Sequence, residues 1–131
     1  MVLGLVGWVG SGSVGGMVFG SGVPTIGVGD IADGDVLLDV READEWEAGH
    51  AAAALHIPMS EFVARYGELT EAVSEGGRVS VICRSGGRSA QVAMYLLQQG
   101  LDAVNVDGGM AAWAAEGRPV VDDEGRPGAV V

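Results

Sequence analysis

One residue in this chain can act as a soft nucleophile: Cys83, the single cysteine among 131 residues. It opens the run Cys83-Arg84-Ser85-Gly86-Gly87-Arg88-Ser89. In front of it stands Val79-Ser80-Val81-Ile82, a β-branched strand pattern, and behind it a helix pattern begins near Ser89. A strand that delivers a thiol into a glycine-rich turn at a helix start makes an anion site with a nucleophile at its floor. Free backbone N–H groups and the positive end of the helix dipole point at whatever binds there. Arg84 and Arg88 add two fixed positive charges. Each of these favours thiolate over thiol, and such settings lower a cysteine pKa from about 8.5 to roughly 3.5–7.5. A merely structural cysteine would leave two arginines and two glycines in the next five residues without a purpose.

The whole chain bounds what such a thiol can serve. Its length allows one domain with a real core. A net charge of −11 leaves no basic face for nucleic acid. All seven cationic side chains are arginines, and Arg41, Arg84 and Arg88 fall at the C-terminal ends of expected strands. An acidic protein with its positive charge gathered at one mouth suits a small anion there. A lone cysteine excludes an internal disulfide and a thiolate zinc cluster, and it suits a reducing, cytoplasmic compartment.

Positioning the cysteine requires a sheet. From Pro24 onward strand and helix patterns alternate, as in a parallel α/β fold. Thr25 to Val28 reads as a short edge strand. Val36-Leu37-Leu38-Asp39-Val40 is a near-continuous apolar strand, the mark of burial on both faces. A helix over Glu42 to Ala48 is closed by Gly49, and Leu55-His56-Ile57 is a third strand ended by Pro58. Ser60 and Thr70 are expected N-caps of two short helices, Glu61 to Tyr66 and one running through Ser74. After the strand ending at Cys83, the helix from Ser89 to Gln99 buries Val92, Ala93, Leu96 and Leu97. Ala103 to Val106 is the fifth strand, and Asp107-Gly108-Gly109 turns into a last helix, Met110 to Ala115.

The ends read differently. Residues 1–23 carry no charge and hold many glycines, so they read as a disordered leader, with a weak membrane segment as the alternative. Residues 24–120 form the domain, and residues 121–131 read as a flexible tail. Two further motifs carry little. Gly27-Val28-Gly29-Asp30-Ile31-Ala32 has the shape of a dinucleotide fingerprint, but Asp33-Gly34 turns where the required helix should run. His50 and His56 lack a nearby cysteine or carboxylate pair, so no metal site is expected, nor any cofactor.

Taken in order, Asp39-Val40-Arg41, Glu45-Trp46, Gly49-His50, His56-Ile57-Pro58, Cys83 to Ser89 and Asp107-Gly108-Gly109-Met110-Ala111-Ala112-Trp113 resemble a single-domain rhodanese, from about Ile31 to Pro119. The resemblance implies a five-stranded parallel sheet with helices on both faces and the cysteine loop at the strand C-terminal edge. It implies a sulfurtransferase in which Cys83 takes a sulfane sulfur from an anionic donor such as thiosulfate and hands it to cyanide or a thiol. Arg84, Ser85, Gly86, Gly87, Arg88 and Ser89 would then form the donor-binding loop. Asp39 and Arg41 would brace the loop and pair with Glu45. Where the family often has Gly-His-Ile-Pro-Gly-Ala, this chain has Gly49-His50-Ala51-Ala52-Ala53-Ala54, which puts the turn before the third strand in doubt.

Two other functions fit parts of the pattern. A persulfide carrier that relays sulfur to a protein partner would use the same loop. A phosphatase of the same fold would need a loop one residue longer, since only four residues separate Cys83 from Arg88.

Overall fold

The computed structural model describes residues 22–131 and the backbone of Met17–Val18. Among the described residues there are six strands, β1 (Met17–Val18), β2 (Pro24–Ile26), β3 (Val36–Asp39), β4 (Leu55–His56), β5 (Arg78–Ile82) and β6 (Asp102–Val106). They lie in the order β1-β2-β6-β5-β3-β4. The five strands from β2 to β6 run parallel, as the resemblance implies, and β1 adds an antiparallel edge beside β2. The disordered leader expected over residues 1–23 is corrected at its end, where Met17–Val18 pair in the sheet and Val23 is fully buried in the core, and the rest of it lies outside the described residues.

Strand alternation splits the core into two layers. Leu38, Val79, Val81 and Cys83 face one side, where Leu69 of α2 (Tyr66–Ala72) and Val92, Ala93 and Leu96 of α3 (Gly87–Gln98) cover them. Leu37, Ile82, Val104 and Val106 face the other side, against Met110 of α4 (Gly109–Ala115). Central strands buried on both faces are mostly apolar, the pattern read in Val36 to Val40 and Val79 to Ile82, and their buried polar members Asp39 and Ser80 are paired with Arg41 and Asp35. A short α1 (Ala43–Ala48) ends at Gly49, whose N–H bonds the Trp46 carbonyl.

Several local expectations are corrected. The two short helices expected after Pro58 are a 3₁₀ turn, Met59–Glu61, and the single helix α2. Thr70 lies inside α2 and donates its hydroxyl to the Gly67 carbonyl at 3.0 Å instead of capping. The alanine run neither extends α1 nor opens the turn. Ala54 N–H closes a turn onto the Ala51 carbonyl, and Ala51 is buried in the core.

The tail is the largest correction. Residues 121–131 do not hang free: Val121 exchanges both backbone bonds with His50, and Ala129 N–H reaches the Ala48 carbonyl at 2.9 Å. Val120 and Val130 pack on the Met110 side of the core. The Asp122 carboxylate accepts the N–H groups of Glu124 and Arg126 and so ties the intervening turn. Gly49 allows this approach, because a side chain there would lie 2.5 Å from the Ala129 carbonyl oxygen.

Candidate active site

Cys83 is the first residue beyond β5, at the C-terminal edge of the sheet where open α/β folds place their sites. Its side chain is 1% exposed, at the floor of the loop that leads into α3. Gly86 stands at the N-cap of α3 with φ +116°, a left-handed conformation that glycine adopts without strain. That twist turns the chain back over the sulfur. Gly86 N–H donates to Sγ at 3.1 Å and Ser89 N–H at 3.4 Å. The Ser89 hydroxyl lies 3.2 Å from Sγ. Burial pushes the Cys83 thiol up, but the Ser89 hydroxyl and the N–H groups of Ser89, Gly86 and Ser85 outweigh it, so the net shift is below the ordinary thiol value.

The loop's carbonyls are held from behind. Met110 N–H donates to the Cys83 carbonyl at 2.8 Å and Ala111 N–H to the Arg84 carbonyl at 3.0 Å. With their carbonyls satisfied by the start of α4, the loop peptides present N–H groups inward. Gly109 makes this contact possible, since a Cβ there would run into the carbonyl oxygens of Cys83 and Arg84.

The arginines divide into two kinds. Arg41 and Asp39 are both fully buried, and Arg41 spends its donors inside the protein. Its Nε and Nη2 go to the Asp39 carboxylate, and its other contacts are the carbonyls of Glu45 and Gly49. Bracing is therefore its geometry, but the expected pairing with the Glu45 side chain is corrected. Glu45 turns its carboxylate to Arg88 instead, at 2.7 and 2.9 Å. Those bonds hold Glu45 below the usual carboxylate range, against the opposing effect of burial. Arg84 is exposed, and its Nε donates to the main-chain oxygen of Val131 at 2.9 Å. Both loop arginines thus have partners within the chain before any donor arrives. Ser85 and Gly87 are exposed on the outer side of the loop.

The histidines are structural. Trp46 is sandwiched between His50 and His56 at ring distances of 3.6 and 4.4 Å. Each histidine donates to a backbone carbonyl, His50 to Trp46 and His56 to Arg41. Among the described residues no group of three or more His, Cys, Asp or Glu is placed to hold a metal. No described helix is long and apolar enough to cross a membrane.

Residues 28–116 match the family model described as a rhodanese-like domain. The chain belongs to the rhodanese family. A sulfurtransferase of Allochromatium vinosum is 42% identical over 93 residues, covering 70% of this chain and 83% of that protein. The crystal structure of a rhodanese-related protein from Thermoplasma volcanium superposes with a TM-score of 0.59 at 38% identity, over 67% of this chain and 84% of that one. A thiosulfate sulfurtransferase from Pseudomonas aeruginosa has the same TM-score at 25% identity, over 75% of this chain but 19% of the longer neighbour. Relatives that bear the sulfurtransferase name support a general sulfur-transfer role for this rhodanese domain.

Two relationships in the rhodanese site do not follow from the sequence. Glu45 pairs with Arg88 rather than Arg41. Asn105, a strand residue by its sequence pattern, accepts the Ser89 hydroxyl on Oδ1 at 2.6 Å. The available signal was a lone polar residue inside the buried run Ala103-Val104-Asn105-Val106.

Proposed function

We propose that the protein moves a sulfane sulfur from an anionic donor, thiosulfate being the simplest, through a Cys83 persulfide to a thiophilic acceptor such as cyanide or a thiolate. The observation that carries the reading is the buried sulfur of Cys83 with two backbone N–H groups aimed at it from a loop that ends in a helix start. The Cys83 thiolate attacks the outer sulfur of thiosulfate. A new S–S bond forms, and the bond from that sulfur to the sulfonate group breaks, its electron pair leaving with sulfite. The terminal persulfide sulfur then carries the negative charge, and the loop N–H groups stabilise it as they do the thiolate. An incoming cyanide or thiolate bonds to that terminal sulfur, the S–S bond breaks, and its electron pair restores the Cys83 thiolate.

The donor's anionic end meets the loop mouth. Arg84 keeps its terminal N–H groups for it, and Arg88 can serve only in competition with Glu45. Phosphoryl transfer is a poorer fit, because Arg88 follows Cys83 after four residues and is held sideways by Glu45 rather than closing a ring around a phosphate. The test is thiocyanate formation from thiosulfate and cyanide by wild-type protein and by Cys83→Ser. Turnover lost in the variant supports the reading, and equal turnover in both overturns it.

A further inference from the structure

Ser89 has one hydroxyl proton and two acceptors for it. Asn105 Oδ1 is 2.6 Å from Ser89 Oγ, and Cys83 Sγ is 3.2 Å away. The shorter contact takes the proton, so in this arrangement Ser89 Oγ faces the sulfur as an acceptor. That geometry suits a thiol: Cys83 S–H donates to Ser89, which donates to Asn105. It does not suit a thiolate or a persulfide, whose inner sulfur carries no proton and needs donors.

Asn105 can answer both needs. It stands on β6 between β2 and β5, paired in register with Thr25 and Val81, and is 7% exposed. Its Nδ2 has no hydrogen-bond acceptor among the described residues, and it faces the backbone of Gly86, where a Cβ would meet it at 3.7 Å. A carboxamide has nearly the same shape after a half-turn, which exchanges its acceptor for a donor. A leucine here would offer neither, and an aspartate only acceptors.

We propose that Asn105 is a positioning residue whose amide turns with the state of Cys83. It accepts the Ser89 proton when Cys83 is a thiol. It donates to Ser89 Oγ, sending the hydroxyl toward sulfur, when Cys83 is a thiolate or persulfide. The relay breaks no covalent bond, and the thiol proton leaves to solvent. Other charges around the site are Arg88 of α3 with Glu45 of α1, Arg84 on the loop, and the buried Asp39–Arg41 pair at the end of the neighbouring strand β3. The Arg88 bonds hold Glu45 below the usual carboxylate range, so the sulfur is the group that drives the change.

The inference rests on Cys83 being the reacting sulfur of the proposed transfer, but its test needs no donor. The side-chain amide resonances of Asn105 are followed by NMR through a pH titration, alongside thiolate absorbance in the ultraviolet. In wild-type protein the Asn105 amide titrates with the same midpoint as the thiolate, and in Ser89→Ala most of that response is lost. An amide that stays flat in wild-type protein, or that responds equally in Ser89→Ala, overturns the proposal.

Asn105→Asp gives a second reading, because an ionised carboxylate only accepts. It raises the Cys83 midpoint by about one unit, a roughly tenfold change in the proton affinity of the thiolate. In the Ser89→Ala background at least half of that rise disappears, leaving direct charge repulsion. An identical rise in both backgrounds contradicts a route through Ser89. If the aspartate variant does not fold, the wild-type titration decides alone. Sulfur uptake with a flat Asn105 amide defeats only this inference, whereas a coupled amide without sulfur uptake defeats only the sulfur-transfer reading.

Discussion

The guanidinium of Arg88 grips the Glu45 carboxylate with two parallel bonds, at 2.7 and 2.9 Å, across 43 residues of chain. An arginine held in this way is neutralised where an anionic donor must bind. Glu45→Gln removes the competing charge and releases one prong of the fork. The expected result is a thiosulfate KM lowered about three- to tenfold with kcat nearly unchanged. Steady-state kinetics check it, and in the Arg88→Ala background the same substitution has little effect. A KM that does not fall shows that the carboxylate is not in competition.

The Asp39–Arg41 pair predicts a loss of stability. Both side chains are fully buried, and Arg41 also holds the Glu45 and Gly49 carbonyls. Arg41→Ala leaves a buried carboxylate unpaired, which costs about 3–5 kcal/mol. Thermal unfolding should fall by roughly 10–20 °C for a domain of this size. A shift of only a degree or two contradicts the bracing role.

Gly109 tests how the loop is held. Alanine there places a methyl carbon against the Cys83 and Arg84 carbonyls at a residue whose φ is +53°. The α4 start must retreat, and with it the bonds that keep those carbonyls out of the site. A destabilisation of about 2 kcal/mol or more is expected in urea unfolding, together with weakened sulfur uptake, although no reactive group is removed. Normal stability and normal uptake would show that the loop does not depend on α4.

The Cys83 thiol predicts a pH profile. Burial opposes ionisation, but the Ser89 hydroxyl and the loop N–H groups more than offset it, so the thiol ionises below the ordinary thiol value. The thiolate is the nucleophile, so single-turnover sulfur uptake is slow at acid pH, rises through the lowered pKa and levels off above it. Ser89→Ala moves the rising limb toward higher pH. A wild-type midpoint at or above the ordinary thiol value contradicts the stabilising loop.

What the sequence showed and what it hid follow from range. The apolar run ending at Cys83, the glycines of the turn and the face of α3 are local patterns, so the strand, loop and helix around the sulfur were legible. The buried central strands were legible for the same reason. Pairings set by tertiary packing were not: Arg88 could have met a donor, and only the fold brings Glu45 to it. The tail from Val121 carries turn-forming residues that suggest looseness, but Val120 and Val130 find a core face that no local pattern reveals. Asn105 is intermediate, since its polarity within a buried strand was visible although its partner was not.

The central claim is that Cys83 carries a transferable sulfur, and intact-protein mass measured after incubation with thiosulfate tests it most directly. The account predicts that wild-type protein gains the mass of one sulfur atom and loses it again on addition of cyanide, while Cys83→Ser gains nothing. Wild-type protein that stays at its original mass with thiosulfate, and equally with mercaptopyruvate or glutathione persulfide, would contradict it.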